Sequence, residues 1–479
     1  MEERSVRIDK AKAYLEKLGQ VFPSVSHRTH TVAQVLTDFA SLSDVTVIIT
    51  GRIRQWREHG KLTFAQLEDA SGRIQIALSK TELKQPDYSE LNLFDVSDIV
   101  EVSGKPFVTH KGQQSILVEK IIMLSKAIQP LPDEWFGLQD EEQRYRRRYV
   151  DMQLRPELRD MFQKKAMFWR SLREFLQTEN FLEVETPVLE TTPGGADAKP
   201  FTTHHNALDI DLYLRISMGE LWQKRLMVAG FEKTFEIGRQ FRNEGISPEH
   251  LQDYTQMEFY WAYANYENTM HLVERLYKHV IQATFGKLQF DIKGFKVDFD
   301  QPWPRLDYVT AIQDQLNINI LTSSATDLKK KCTELNIKIA GEMGKGRLMD
   351  LLWKHCRKQI AGPVFLVNHP VAVSPLAKRK TDNPELVERY QVIIAGSELG
   401  NGYTELNDPI DQAERFANQA KLRAAGDEEA QRHDQDFIDA LEYGMPPTSG
   451  FGVSERLFSF LMDKPIRECV MFPLLRPKQ

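Results

Sequence analysis

The run from Phe231 to Tyr263 constrains this chain more than any other. It opens as Phe-Glu-Lys-Thr-Phe-Glu-Ile-Gly-Arg-Gln-Phe-Arg-Asn-Glu-Gly, crosses a polar stretch, and resumes as Tyr-Thr-Gln-Met-Glu-Phe-Tyr-Trp-Ala-Tyr. Phe235, Ile237 and Phe241 share one face of the first segment. Met257, Phe259 and Trp261 share one face of the second. A period of two predicts two strands joined by a loop, paired antiparallel. The opposite faces carry Arg242 on one strand and Glu258 and Tyr260 on the other. A cation beside a carboxylate and a phenol is costly on a packed face unless it meets a charged ligand. The alternative is an ordinary exposed sheet face.

The 479 residues are enough for roughly two to four domains. A formal net charge of −6 argues against a uniformly basic coat, but leaves room for a local basic face that binds phosphates. Three cysteines, Cys332, Cys356 and Cys469, lie far apart with no CxxC. They form no disulfide framework or zinc site and suit a reducing cytoplasm. The N-terminus lacks an apolar signal core, and no run of about 18 apolar residues predicts a membrane span.

Residues 1–43 read as a helical extension, with Ile8, Ala11, Tyr14, Leu15 and Leu18 at helical spacing. Such a helix either leans on RNA or is simply a solvated amphipathic helix. Residues 44–128 change to short alternating segments, 45–53, 62–67, 73–78, 99–104 and 115–121, separated by turns. Five β segments in so short a stretch predict a closed barrel of the OB type, which holds single-stranded nucleic acid on aromatics over a basic rim. Arg57, Phe64 and Gln75 are its candidate binding residues, and a core Phe64 is the plainer alternative. Residues 129–150 read as a linker, with Pro130 and Pro132 at its start and an arginine cluster over 141–149. Those arginines either touch phosphates or form salt bridges at a domain junction. Residues 151–479 form the large unit, with a helix over 168–181, a strand over 182–189 and a mainly helical insertion over about 266–360.

Four segments of the large unit carry chemistry. Thr192-Pro193-Gly194-Gly195-Ala196 is a turn where bare backbone can approach a ligand. Gly219-Glu220-Leu221 places an acid after an alternating segment. The Arg242 hairpin is the third. In the fourth, Glu398 to Asn407, a strand puts Asn401, Tyr403 and Glu405 on one face. Glu220, Glu258 and Glu405 would give one pocket three carboxylates, which calls for a cationic ligand, a metal, or both. Arg242 and Arg456 offer fixed positive charge for phosphates.

The chain resembles the class II lysyl-tRNA synthetases over nearly its full length. The resemblance rests on the motif 2 run around Phe241-Arg242-Asn243-Glu244, on Thr29-His30-Thr31, and on Trp135 to Asp140 with Arg144-Tyr145. It rests also on Val373 to Lys378 and on Gly400-Asn401-Gly402-Tyr403-Thr404-Glu405-Leu406-Asn407-Asp408-Pro409. It implies an α+β chain: an N-terminal OB-fold β-barrel for the anticodon and a class II antiparallel sheet of six or seven strands flanked by helices. It also implies a homodimer joined through the motif 1 region, the helix, strand and proline of 168–189.

The same resemblance implies the roles of individual residues. Gly195 and Glu220 would receive the α-ammonium of L-lysine, and Arg242 and Asn401 its carboxylate. Glu258, Tyr260 and Glu405, beside Tyr403, would surround the ε-ammonium. For ATP, Tyr254 and Arg456 would sandwich the adenine, Glu244 would read its edge, and His250 would approach the terminal phosphates. Glu398 would hold Mg²⁺. Arg57, Phe64 and Gln75 would read the anticodon of tRNA-Lys.

The chain also departs from the family pattern. Gln391 stands where a second metal-binding glutamate is usual, and a neutral amide is the weaker ligand. Motif 3, Ser449 to Arg456, is one residue short and has Ser454 where a glycine is usual. Gln113 replaces a glutamate of the barrel, and the 217–219 stretch is one residue longer. Ligases for aspartate or asparagine, a ligase that lysylates something other than tRNA, and a non-catalytic RNA-binding relative are the competing classes. The three carboxylates oppose an acidic substrate, and an intact barrel opposes a tRNA-independent ligase.

Overall fold

Alternation between 47 and 125 resolves into five strands: β1 (Val47–His59), β2 (Leu62–Asp69), β3 (Gly72–Ser79), β4 (Ile99–Val108) and β5 (Gln114–Ser125). They close into a barrel in the order β1-β2-β3-β5-β4. The inward positions are apolar, among them Val47, Ile49, Ile53, Leu67, Ile76, Val100, Val102, Ile116 and Val118, all fully buried. The computed structural model describes residues 2–132, 138–196, 198–245, 247–339, 343–424 and 432–477. Trp135, Phe136 and Gly137, part of the family resemblance, lie outside them. The chain forms two compact units, Met1–Arg144 and Tyr145–Gln479.

The N-terminal helix α1 (Glu2–Leu18) is neither wholly solvated nor free to lie on RNA with its apolar face. Tyr14 is buried in the barrel core, and its hydroxyl accepts the Met123 N–H at 2.8 Å. Arg7 is buried too, donating to the Val96 and Ala127 carbonyls at 3.0 Å each. Leu15 stays 57% exposed, so the packed face runs through Arg7, Tyr14 and Leu18 instead. A short helix, α2 (Val32–Thr37), has its N-terminus closed by a Thr31–Gln34 capping box.

The boundary between the units falls within α3 (Glu141–Arg146), and the second unit continues with α4 (Arg148–Leu154) and the long α5 (Pro156–Thr178). Of the arginine cluster, Arg148 is fully buried, pairing with Asp151 at 2.9 Å and donating to the Glu468 carbonyl. That arginine takes the salt-bridge reading. The strand expected over 182–189 is broken into β6 (Leu182–Glu183) and β7 (Leu189–Glu190), which belong to different sheets. Pro187 lies between them and brings no N–H to a ladder. Then follow β8 (Thr202–His205), β9 (Ile210–Leu214), α6 (Glu220–Val228), β10 (Lys233–Phe241), β11 (Asp253–Ala262) and α7 (Tyr266–Phe285).

The segment expected to be an insertion is mainly helical, with α8 (Tyr308–Leu316), α9 (Ala325–Glu334) and α10 (Lys345–Cys356). It also holds a hairpin, β12 (Gln289–Ile292) and β13 (Phe295–Asp298), and an edge strand of the main sheet, β14 (Arg305–Asp307). Helix α7 is core, not insertion: Val273, Leu276 and Val280 share one cluster with Phe168, Leu172 and Leu176 of α5. The remaining elements are β15 (Val364–Pro370), β16 (Leu386–Ile394), β17 (Ser397–Thr404), α11 (Pro409–Ala424), α12 (Gln435–Glu442), β18 (Thr448–Ser454) and α13 (Arg456–Leu461).

The main sheet has eight strands rather than six or seven, ordered β14-β15-β16-β17-β18-β11-β10-β6. Its interior pairs are antiparallel, and the two outermost pairs, β14/β15 and β6/β10, are parallel. Phe235, Met257, Phe259, Tyr390, Phe451 and Val453 cover one face and pack under α5 and α7. The other face carries the site.

Candidate active site

Register alone assembles the floor of the site. Glu236 pairs with Glu258, Glu258 with Gly452, Gly452 with Asn401 and Asn401 with Gln391. One row along, Thr234, Tyr260, Gly450, Tyr403 and Arg389 line up in the same way. Directly opposed residues point to the same side of a sheet, so five strands present these side chains together. The two glycines leave the middle of the floor open. A Cβ on Gly450 would lie 2.5 Å from Glu405 Oε1 and 2.6 Å from Tyr260 Cε1.

Glu220 joins from above. Gly219 takes φ +66° and caps α6, which puts Glu220 in the first helical turn, where a carboxylate is favoured. Gly195, at φ +85°, lies against it: a Cβ there would meet Ser217 Oγ at 2.5 Å and Glu220 Cβ at 2.8 Å. The Tyr403 hydroxyl donates to Glu220. Glu258 Oε1 accepts the Met218 N–H at 3.1 Å and Gln256 Nε2 at 2.7 Å, and its Oε2 accepts the Tyr260 hydroxyl at 3.0 Å. Burial, then the nearby Glu220 charge, push Glu258 up to about 7. Burial raises Glu405 as well, with the Lys224 charge the main force opposing it. Met218, in the longer stretch before α6, thus supplies a backbone donor to the pocket.

Arg242 is half-buried at the end of the β10 register, with Nε 3.3 Å from the Ile216 carbonyl and its guanidinium 5.8 Å from the Tyr254 ring. Asn401 Oδ1 accepts Arg389 Nε at 2.9 Å, which leaves the amide N–H groups to donate elsewhere. Arg389 is itself held by the Val373 carbonyl and Ser374 Oγ. Arg456 opens α13 and pairs with Glu249 at 2.6 Å. Burial would raise the Glu249 carboxyl, but Lys293 and Arg456 outweigh it and hold it at about 2. His250 sits beside Ser247 Oγ at 2.7 Å, and Glu244 and Tyr254 flank the same loop. Motif 3 is regular despite its missing residue: β18 pairs with β11 from Thr448 through Ser454.

Glu398 lies 3.7 Å from Arg357, and Gln391 is buried on the neighbouring strand. Among the described residues, no group of three or more His, Cys, Asp or Glu side chains could hold a metal ion. The Gln391 Oε1 is buried beside His369, so the oxygens nearest to hand there are one carboxylate and one amide.

Sequence reasoning missed Lys224, Arg389 and Glu249. Lys224 was the most legible, four residues after Glu220 and so on its helix face. Arg389 was visible as a same-face neighbour of Gln391 on an alternating strand. Nothing local marks Glu249 as the partner of a residue 207 positions away.

On the barrel, Arg57 pairs with Phe64, Phe64 with Ala77, and Gln66 with Gln75. Arg57, Phe64 and Gln75 therefore share the outer face. Phe64 is partly exposed, absent from the core cluster, and edge-on to His59 at 6.3 Å. Gln75 Nε2 donates to Ser115 Oγ at 2.9 Å, and Arg57 is exposed.

The family profile for class II tRNA synthetases (D, K and N) matches residues 140–476, and that for OB-fold nucleic acid binding domains matches residues 47–124. The chain belongs to the class II tRNA synthetases. Within that family it is similar to the lysine–tRNA ligase of Carboxydothermus hydrogenoformans, 42% identical over 478 residues, spanning 99% of this chain and 98% of the relative. The lysine–tRNA ligase of Moorella thermoacetica is 41% identical over 99% of this chain and 98% of its own length. That of Roseiflexus castenholzii is 44% identical over 96% and 95%. Members of the family activate an amino acid with ATP and transfer it to tRNA.

Proposed function

We propose that this chain is a lysine–tRNA ligase that activates L-lysine with ATP and transfers it to tRNA-Lys. The observation that carries this reading is the convergence of Glu220, Glu258 and Glu405 with Tyr260 and Tyr403 in one buried pocket. Buried carboxylates need a cationic partner, and lysine brings two ammonium groups. Glu220 and the Gly195 carbonyl would take the α-ammonium. Glu258, Tyr260 and Glu405 would take the ε-ammonium. Arg242 and the Asn401 amide, aimed by Arg389, would take the carboxylate.

A carboxylate oxygen of lysine then attacks the α-phosphorus of ATP, forming lysyl-adenylate and releasing pyrophosphate. A ribose hydroxyl at the tRNA 3′ end attacks the lysyl carbonyl, and AMP leaves. Neither step needs a protein nucleophile. Arg242 and Arg456 neutralise developing phosphate charge and hold the reactants in line. Tyr254, Glu244 and His250 would bind the adenine and the terminal phosphates. Glu398 and the Gln391 amide oxygen would hold Mg²⁺ entering with the triphosphate, whose charge the ion would neutralise.

In this reading residues 44–128 bind the anticodon through Arg57, Phe64 and Gln75, and residues 151–479 are catalytic. We place the protein in the cytoplasm: no described helix is long and apolar enough to cross a membrane, and all three cysteines are buried and free. Leu182, Val188 and Leu189 are 50%, 42% and 47% exposed around the motif 1 strands, which supports a homodimer through that region. ATP–pyrophosphate exchange across the twenty amino acids tests the function. Lysine-dependent exchange is expected, and exchange with aspartate or asparagine, or with none, would overturn it.

A further inference from the structure

Lys224 is charged, buried and touches none of the atoms that react in the scheme above. Its Nζ lies 3.0 Å from Glu220 Oε1 and 2.6 Å from Glu405 Oε2, and its side chain is 1% exposed. The Tyr403 and Phe437 rings close over it at 5.6 and 5.8 Å. Glu220 has a second partner in the Tyr403 hydroxyl, and Glu258 has Met218, Gln256 and Tyr260. Glu405 has no side-chain partner except Lys224 among the described residues. It is 1% exposed, and an unpaired carboxylate so placed would take a proton and stop being an anion.

From this asymmetry we infer that Lys224 is a positioning residue for lysine recognition: a built-in counter-ion that favours the carboxylate form of Glu405 and aims it, so that the pocket accepts a second ammonium group. The inference rests on the pocket being the lysine site. It assigns Lys224 no contact with substrate: its effect on lysine binding passes chiefly through Glu405, because Glu220, 3.0 Å from the same ammonium, keeps the Tyr403 hydroxyl as a partner.

The groups facing Glu405 are Lys224, Glu220, Glu258, Tyr260 and Tyr403, with Arg242 acting on Glu258 and Arg389 on Tyr403. Of these, Lys224 alone pulls the Glu405 titration down, while burial, Glu220 and Glu258 push it up. Removing the ammonium therefore delays Glu405 ionisation to higher pH. The lysine KM of the wild-type enzyme should fall as pH rises through about 7 and on to about 8, the values to which Glu258 and Glu405 are pushed. In Lys224→Met the fall should continue to higher pH, because Glu405 titrates later.

The test is lysine KM in ATP–pyrophosphate exchange as a function of pH, for wild type, Lys224→Met, Glu405→Gln and the double variant, with thermal unfolding alongside. At pH 7, Lys224→Met should raise lysine KM by about tenfold or more, one unit of displaced titration being a factor of ten. ATP KM should stay within about threefold, the scatter expected for uncoupled sites. Raising the pH should recover Lys224→Met but not Glu405→Gln. The double variant should match Glu405→Gln within about threefold, since a residue acting through another adds nothing once that other is gone. A further loss beyond that, or an unshifted pH profile in Lys224→Met, overturns the inference. If Lys224→Met does not fold, the double variant still decides, because it removes the Glu405 charge that the single variant orphans and leaves Glu220 its Tyr403 hydroxyl. Wild-type exchange that does not depend on lysine would instead overturn the pocket reading, and this inference with it.

Discussion

At the ammonium end of the pocket, Glu220, Lys224 and Glu405 have side chains 1–8% exposed, and Glu258 and Tyr260 are 6% and 3% exposed. At the phosphate end, Arg456 and Glu249 are 20% and 27% exposed, and Arg357 and Glu398 are 17% and 33%. The first end is a dry, fixed array whose acceptors are already aimed. The second is wetter, and two of its charged groups already hold partners of opposite sign. Lysine would thus enter a preformed site. A triphosphate would exchange with Glu249 for Arg456, and a metal ion would compete with Arg357 for Glu398. On this proposal, discrimination between amino acids would belong to the rigid end, where a missing ammonium leaves a buried acceptor unpaired, and affinity for the nucleotide to the end whose ion pairs must open.

The largest effect is expected where the two ends meet. Arg242→Ala should lose about 2–4 kcal/mol of transition-state stabilisation, by analogy with losing an oxyanion donor. Pyrophosphate exchange within about threefold of wild type, far less than such a loss implies, would remove Arg242 from the reaction.

At the rigid end, Glu405→Gln should raise lysine KM by about ten- to hundredfold, the cost of losing a charge-assisted hydrogen bond, while sparing ATP KM. Discrimination against norleucine, which lacks the ε-ammonium, should shrink with it. Unchanged lysine selectivity would mean that the dry array does not set specificity.

Phe64→Ala lies outside both ends and serves as their control. A base stacked on an aromatic contributes about 1–3 kcal/mol, so tRNA KM should rise roughly five- to hundredfold while lysine-dependent exchange holds. Phe64 lies outside the barrel core cluster, so thermal unfolding should move little. Equal losses in exchange and charging would take Phe64 off the RNA face.

The smallest effect belongs to the rearranging end. Glu249→Gln frees Arg456 from a partly solvated pair of the kind worth about 0–1 kcal/mol, so ATP KM should fall by about fivefold at most, with lysine KM steady. A rise in ATP KM would mean that the Glu249 carboxylate positions Arg456 for the nucleotide rather than competing with it.

The legible parts were those encoded at short range. Five alternating segments announced the barrel, and the Phe235/Phe259 alternation announced the β10/β11 hairpin, because period-two burial is written along each strand. The 182–189 strand failed because alternation persists there while Pro187 cannot join a ladder. β14 was missed because Arg305–Asp307 is too short to show a period. α1 docks through Ala11, Tyr14 and Leu18 of its apolar stripe but leaves Leu15 exposed, and Arg7 joins the packed face by donating to the Val96 and Ala127 carbonyls.

Residue type and spacing were enough to call for a barrel of the OB type and a pocket of three carboxylates, while the class II sheet came from the resemblance that the motifs carry. The barrel follows from local periodicity and the pocket from the chemistry of the side chains. Folding alone settled which charge meets which. Glu405 faces Lys224 because α6 packs on β11, which lies in the same sheet as β17, and Arg456 faces Glu249 because α13 follows a strand that pairs with β11. Counter-ions in a low-dielectric interior are chosen by distance, and these distances are set by packing between elements far apart in the chain.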